Sequence, residues 1–209
     1  MGNAMKLLVI GATGGTGRLL LTEGVARGHA VTAFARRPDA LTDVPGLAGV
    51  VGGNARDADA LTGALAGQDA VITTVGPRGR TTDPTVVADS TRALIQAART
   101  AGVRRVVKVS AYGIVATRPR VLLPLARRLL GGVFADQAVG DDLLAASGLD
   151  WTVVRPPRLT NGRPRGRVRV SRRPFETGPY TMSRADLARY LLDVVDDPAS
   201  VGVAVNVTG

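Results

Sequence analysis

The first stretch of the chain whose residue types could do chemistry is a glycine-rich turn, Gly11-Ala12-Thr13-Gly14-Gly15-Thr16-Gly17. It follows an apolar run at residues 7–10 and precedes leucines at 19–21, so it is predicted to join a buried strand to a helix. Unpaired amides at the N-terminus of such a helix point toward a bound anion, and glycine lets that anion approach the backbone closely. The spacing predicts a cradle for the pyrophosphate of a nicotinamide dinucleotide.

Two arginines, Arg36 and Arg37, follow the predicted strand at residues 30–35, where the adenosine ribose of such a cofactor would lie. An acidic residue there would hydrogen-bond the 2′-hydroxyl of NAD, whereas guanidinium groups match a 2′-phosphate in charge and geometry. The pair therefore predicts NADP(H) as the cofactor. The alternative interpretation is two solvated arginines at a strand end.

Ser110 and Tyr112 follow another predicted strand, at the carboxyl edge of the sheet where such folds bind ligands. They are the candidate catalytic residues, because a hydroxyl there can orient a nicotinamide or polarise an acceptor carbonyl. Both side chains could instead cap and pack the strand end. Ala116 stands four residues after Tyr112, so this tyrosine lacks the nearby lysine that would lower its pKa for proton transfer.

The absence of cysteine and the presence of a single histidine, His29, exclude thiolate catalysis and metal sites built on cysteine or a histidine cluster. The formal net charge is +10, and all but two of the 27 basic residues are arginines. These arginines are dispersed and aromatic residues make up only 3% of the chain, which favours a basic surface that attracts an anionic cofactor over nucleic-acid binding. Glycines interrupt the first apolar run, so no signal peptide or membrane span is predicted and a cytoplasmic location is expected.

The candidate residues lie at the ends of apolar runs that alternate with stretches long enough for crossover helices. The runs near 69–75 and 103–110 are nearly continuous and β-branched, as in central strands covered on both faces. We therefore predict an α/β fold, a doubly wound parallel sheet of the Rossmann type with a small C-terminal substrate lobe, in one domain over residues 1–209. The runs lie at residues 5–10, 30–35, 48–52, 69–75, 103–110, 151–155 and 202–207.

Two segments, 113–135 and 158–180, are predicted to form pocket walls or a lid. The first is rich in leucine and arginine but is interrupted by Pro124 and by Gly131-Gly132, so a helix is expected only from about Asp136 to Ser147. A basic apolar segment can also dock on a membrane surface, and the short, proline-broken length favours the lid instead.

The second of these segments contains an alternation of arginine and valine at residues 165–170, which predicts an exposed edge strand protected by charge. An arginine-rich hairpin at 163–173 that contacts nucleic acid is the alternative. Further along, Ser183-Arg184-Ala185-Asp186 has the pattern of a capping box that opens a helix.

Several motifs together resemble the NAD(P)H-binding atypical short-chain dehydrogenase family, and within it the flavin reductase/biliverdin-IXβ reductase group and its NmrA-like relatives. The resemblance covers nearly the whole chain and implies NADPH bound over the strand ends, with hydride passed to a flavin, quinone or tetrapyrrole-like acceptor. The motifs are the glycine turn, Arg36, Val109-Ser110-Ala111-Tyr112, Ser147-Gly148-Leu149, Arg155-Pro156-Pro157 and Ser183-Arg184-Ala185-Asp186.

The resemblance also implies roles for individual residues. Arg36 would hold the 2′-phosphate, Asn54 and Ala55 would flank the adenine, and Ser110 and Pro156 would lie on either side of the nicotinamide. The phosphate cradle would be formed by Gly11, Thr13, Gly14, Gly15, Thr16 and Gly17, and the next stretch of cofactor would be lined by Thr74, Val75, Gly76 and Arg78.

The chain departs from these relatives at three places. Arg158 stands where biliverdin-type members have a histidine, Asn54 stands where many relatives have an aspartate, and the tyrosine–lysine pair of standard short-chain dehydrogenases is missing. We therefore predict an NADPH-dependent oxidoreductase that reduces a planar conjugated small molecule, for which the protein supplies little acid–base chemistry. The alternative is an NADP(H)-binding redox sensor without turnover.

Overall fold

The computed structural model of the chain describes residues 4–76, 83–118 and 123–209. Ten strands and five α-helices follow one another in these residues; seven of the strands lie on the seven apolar runs, and three short strands lie outside them. They are β1 (Lys6–Ile10), α1 (Gly15–Ala26), β2 (Ala30–Ala35), β3 (Gly49–Gly52), α2 (Ala58–Leu65), β4 (Ala70–Thr73), α3 (Val86–Ala101), β5 (Arg105–Val109), α4 (Leu123–Ala145), β6 (Asp150–Arg155), β7 (Arg158–Thr160), β8 (Arg169–Ser171), β9 (Thr181–Ser183), α5 (Arg184–Val195) and β10 (Val203–Thr208).

Eight of the strands form one sheet in the order β3-β2-β1-β4-β5-β6-β10-β8. All neighbours in it pair in parallel except β10 and β8. The strand order reverses between β1 and β4, and ligands of such sheets bind at this point, outside the carboxyl ends of the strands. The predicted α/β fold is confirmed. A separate parallel pair of strands, β7 and β9, lies in the C-terminal part.

Helices cover both faces of the sheet. Successive side chains of a strand point to opposite faces, so the apolar residues of the central strands are buried under helices on each side. Leu7 and Val9 face a core shared with α1 and α5, whereas Leu8 and Ile10 face a core shared with α2, α3 and α4. This double burial explains why the central runs are continuously apolar. The layers hold the strand ends, and the loops that follow them, in fixed positions.

The helix in the first predicted pocket segment is longer than expected. α4 runs unbroken from Leu123 to Ala145, through Gly131-Gly132, whereas a start near Asp136 was predicted. Pro124 lies in the first turn, where its missing N–H costs nothing, and a glycine inside a helix costs only about 1 kcal/mol. The helix exposes Leu125, Leu129 and Leu130. Among the helices described, none combines the length and hydropathy needed to cross a bilayer.

The arginine-rich segment does not form the hairpin considered as an alternative. Within residues 163–173 the strand is Arg169–Ser171, and Val170 pairs with Val207 of the last strand rather than with a residue of the same segment. The result is the edge strand of the sheet. The preceding backbone is held by Asp186, whose carboxylate accepts hydrogen bonds from the Arg165 and Gly166 amides.

Candidate functional site

The glycine turn packs closely against its own backbone and against Thr74, so a side chain at Gly11 or Gly17 would clash. Gly11 has φ of +80°, and a Cβ there would lie 2.7 Å from Thr74 Oγ1. A Cβ on Gly17 would collide with the carbonyl oxygen of Gly11. Thr74 at the end of β4 places its hydroxyl 3.2 Å from the Gly11 carbonyl oxygen, so the turn is fixed against the neighbouring strand.

The helix that begins in this turn presents an uncapped N-terminus. Gly14 is the N-cap residue and has no side chain to accept from the first-turn amides, and the first turn carries no acidic residue. The first intrahelical bond runs from the Arg18 amide to the Gly14 carbonyl oxygen at 2.9 Å. The amides of Gly15, Thr16 and Gly17 therefore have no acceptor within the helix, and the positive end of the helix dipole is open to an anion.

A cavity of about 660 Å³ lies above this turn, at the carboxyl ends of β1 to β4. That volume is typical of a pocket for a small organic ligand or cofactor. It brings together most of the predicted cofactor-binding residues: Gly11, Thr13, Gly14, Gly15, Thr16, Gly17, Arg36, Arg37, Asn54, Ala55, Thr74, Val75 and Gly76. Arg78 lies outside the described residues.

Arg36 and Arg37 are exposed and line the far side of the cavity, where β2 ends. Asn54, at the end of β3, is also exposed and accepts a hydrogen bond from the Arg56 amide at 3.2 Å. Arg56 in turn pairs with Asp83 at 2.6 Å. This end of the site thus carries two solvent-accessible cations beside a loop held by its own side-chain contacts.

Ser110 belongs to a buried network and is not among the described residues that line this cavity. Its Oγ donates to Asp141 Oδ2 at 2.9 Å, and Asp141 is only 4% exposed. The Lys108 Nζ lies 2.7 Å from Asp141 Oδ1 and also donates to Gln137 Oε1 at 2.9 Å, while Arg155 Nε donates to Asp141 Oδ2 at 3.0 Å. Burial lowers the pKa of Lys108 below its ordinary value of 10.5, and the Asp141 carboxylate opposes that shift.

Tyr112 is also buried and does not line the cavity among the described residues. Its phenolic oxygen accepts a hydrogen bond from the Phe175 amide at 2.8 Å, and its ring packs against Phe175 and Tyr180 at centroid distances of 5.7 and 6.4 Å. Burial is the largest cause of a raised pKa for Tyr112. These contacts tie the second predicted pocket segment to the end of β5.

Pro156 lies beside Tyr112 and does not line the cavity in the described part of the chain. Its carbonyl oxygen accepts from the Tyr112 amide at 2.9 Å, and the Ser110 amide donates to the Val154 carbonyl at 2.8 Å. The predicted nicotinamide-end residues therefore lie together as an extension of the β5–β6 pairing. They form a neighbouring cluster, separate from the lining of the cavity.

The structure adds residues that sequence reasoning missed. Asp141 and Gln137 carried no motif, because their partners lie on β5 and β6, far away in sequence. Arg184 was noticed only within the predicted capping box. The structure shows Ser183 as the N-cap residue, since the Asp186 amide donates to Ser183 Oγ at 2.9 Å, while the Asp186 carboxylate accepts from Ser183 Oγ and from the Arg165 and Gly166 amides. The residues that line the cavity without having been predicted are Arg56, Asp83, Val86, Ser90, Leu159 and Arg184, besides the apolar Ile10 and Phe34, the buried Ala35 and the strand-end Gly53.

Comparison with known proteins gives a family match that covers most of the chain. Residues 11–198 match the family described as NAD(P)H-binding. The uncharacterized sugar epimerase YhfK of Bacillus subtilis is 29% identical over 215 residues, covering 98% of this chain and 94% of that protein. Sterol demethylase protein B of Methylococcus capsulatus is 40% identical over 124 residues, which are 56% of this chain; the chain spans only 37% of that protein's length.

A solved structure from Bacillus halodurans shares the same fold. This protein, named as a candidate NAD-dependent epimerase/dehydratase, is 27% identical, superposes with a TM-score of 0.82, and the match covers 99% of this chain and 94% of the other. The prediction of an NAD(P)H-binding family is confirmed by the family match.

Proposed function

Since the chain belongs to the NAD(P)H-binding family, we propose that it is an NADPH-dependent oxidoreductase that reduces a planar conjugated acceptor such as a flavin or a quinone. The observation that carries this proposal is the cavity itself. Its lining combines the uncapped N-terminus of α1 with two exposed arginines at the end of β2. A diphosphate and a 2′-phosphate would find positive potential at these two places.

Arg36 and Arg37 support NADPH rather than NADH. They follow β2, whose end is where the adenosine ribose lies in folds of this kind. A guanidinium group is permanently charged and offers a fork of donors that fits a phosphate. In the proposed complex one or both arginines neutralise the 2′-phosphate, a group that NADH lacks.

Ser110 and Tyr112 lie outside the described lining of the cavity, and in the proposed complex the nicotinamide end of the cofactor extends to them. The Ser110 hydroxyl donates its proton to Asp141 Oδ2, so the lone pairs of Ser110 Oγ are what it can offer to a ligand. We therefore expect Ser110 to accept from the carboxamide N–H of a nicotinamide rather than to donate to a substrate carbonyl. The Tyr112 hydroxyl accepts from the Phe175 amide and donates to the Phe175 carbonyl oxygen at 3.4 Å, so its proton is also directed into the protein and it is not placed as a general acid.

This arrangement favours an acceptor that needs no proton donor from the protein. The bound cofactor would supply the hydride, and the protein would contribute binding and orientation. A flavin or quinone that has accepted a hydride can take up the accompanying proton from water. We propose flavins and quinones as the substrate class because Ser110 and Tyr112 are not placed to donate a proton and these acceptors do not need one from the protein.

The hydrogen bonds that Ser110 and Tyr112 make within the protein also favour a second candidate function, a redox sensor that binds NADP(H) without turnover. One experiment separates the two. Purified protein is mixed with NADPH and FMN, FAD or menadione, and loss of absorbance in the reduced nicotinamide band is followed alongside NADPH binding by calorimetry.

Oxidation well above the protein-free rate, with NADH a poorer donor, is the result expected of the enzyme. Tight NADPH binding without turnover across the panel would favour the sensor. Failure to bind either dinucleotide would contradict both. The Arg36→Asp/Arg37→Ser double variant serves as the matched control, since it removes the charge proposed to select NADPH.

A further inference from the structure

Arg184 is the first residue of α5, lines the same cavity as Arg36, and lies over Gly15 of the glycine turn. We propose that Arg184 is a binding residue for the diphosphate of the dinucleotide, closing the glycine cradle from the N-terminus of α5. This inference rests on the proposed function and assigns the diphosphate a side-chain ligand besides the backbone amides.

The contact between Arg184 and the turn is close. A Cβ placed on Gly15 would lie 3.0 Å from both Cδ and Nε of Arg184, so the arginine stem covers the first residue of α1. Both residues line the cavity together with Gly14 and Thr16. The guanidinium group is thereby held beside the first-turn amides, where an anion bound to those amides would lie within its reach.

The charges around this contact favour an anionic ligand. The first turn of α1 has no acidic residue, and the N-terminus of a helix is itself the positive end of a dipole. A cation placed there is repelled until an anion is present. Arg184 Nη1 donates to Asn161 Oδ1 at 2.7 Å, a neutral amide rather than a carboxylate. That bond orients the guanidinium group and uses one of its five N–H donors.

The proposal assigns Arg184 and Arg36 to different phosphate groups of the cofactor. The diphosphate is common to NADPH and NADH, so Arg184 should contribute equally to the affinity for both. The 2′-phosphate belongs to NADPH alone, so Arg36 should contribute to that affinity only. Asn161 lies just after β7, at the start of the second predicted pocket segment, and would act by positioning Arg184.

The test measures dissociation constants of the full chain for NADPH, NADH and ADP-ribose by calorimetry. Arg184→Ala is expected to weaken all three by about tenfold, as for loss of a charge-assisted hydrogen bond. Arg184→Lys should recover part of the loss, since it keeps the charge but not the fork. Arg189→Ala is the matched control, because Arg189 lies on the same helix but is exposed and pairs with Glu23 at 3.4 Å.

Unchanged affinity of Arg184→Ala for all three ligands, with wild-type binding intact, would overturn the proposal for Arg184 and leave the cofactor assignment standing. A loss confined to NADPH would also overturn it, because it would place Arg184 at the 2′-phosphate. No binding of any of the three by the wild-type chain would overturn both. Thermal melts of each variant ensure that a loss of affinity is not a loss of folding.

Discussion

The two ends of the proposed cofactor site are built in opposite ways. At the glycine turn, backbone amides and the exposed cations Arg36 and Arg37 face a cavity. At the end of β5, Ser110 is bonded to a buried carboxylate, which also pairs with Lys108 at 2.7 Å. The groups at the first end are available to an anionic ligand, whereas the charged groups at the second end are paired with one another inside the protein.

This difference shows that the same edge of the sheet can carry groups available to a ligand at one place and groups that stabilise the protein at another. Amides at a helix start cannot be satisfied within the helix, so they stay available to a ligand. A buried carboxylate must be paired within the protein, since an isolated buried charge is costly. The phosphate end should therefore govern affinity, and the network around Asp141 should govern stability and the placement of Ser110.

The largest expected effect comes from breaking the buried network. Asp141→Ala would leave the buried Lys108 and the partly buried Arg155 without their carboxylate partner, and breaking a buried ion pair costs about 3–5 kcal/mol of unfolding free energy. Chemical denaturation measures this loss. Asp142→Ala is the control, because it removes the same charge from an exposed position one residue along α4. Equal stability of the two variants would show that the network is not a structural element.

The next largest effect is expected on NADPH affinity, at the end of the site that holds Arg36 and Arg37. Arg36→Asp/Arg37→Ser should weaken NADPH binding by about ten- to a hundredfold, because a charge-assisted contact contributes about 1.5–3 kcal/mol. NADH binding and the denaturation midpoint should change little, since both side chains are exposed. Binding measured for both dinucleotides checks this. Parallel losses for NADPH and NADH would remove the argument for 2′-phosphate recognition.

A smaller effect should separate orientation from binding at Ser110. Ser110→Ala removes one hydrogen bond, so acceptor reduction should slow by up to about tenfold while the NADPH dissociation constant stays near its wild-type value. Ser110→Thr keeps the hydroxyl and should restore part of the rate. Steady-state turnover and calorimetry give the two quantities. Full activity of Ser110→Ala would show that its role is misassigned.

The smallest effect concerns pH and lies outside both ends. Burial is the main cause that lowers the pKa of His29 below 6.5, Arg27 adds to it and Asp196 opposes it. Folding therefore favours neutral His29, whose Nδ1 accepts from the Met5 amide at 3.2 Å. Its contribution to stability is complete above pH 6.5 and is lost as pH falls through the lower, folded pKa.

The His29 effect can be measured cleanly because the chain contains one histidine. Between about pH 5 and pH 8 histidine is the side chain that ordinarily titrates. The thermal midpoint of the wild type should fall on acidification more than that of His29→Gln. Identical pH dependence in the two proteins would contradict the assignment.

The phosphate end could be predicted from the sequence because its signals are local. The glycine turn, each apolar run and the arginine pair after β2 are each a pattern within a few consecutive residues, and a parallel sheet brings the carboxyl ends of its strands to one edge. The length of α4 could not be predicted in this way. Local propensity at Gly131-Gly132 argues for a break, and the packed second half of the helix, with Asp141 and Leu144 buried, outweighs it.

By itself, the sequence determined the strand ends, the uncapped start of α1 and the charge placed beside it, because backbone geometry and burial patterns act over short distances. Tertiary structure alone decided that Ser110 would meet Asp141, that β8 would pair with β10, and that Arg184 would cover Gly15. These contacts join residues far apart along the chain. They depend on how whole helices pack on the sheet, which no local pattern encodes.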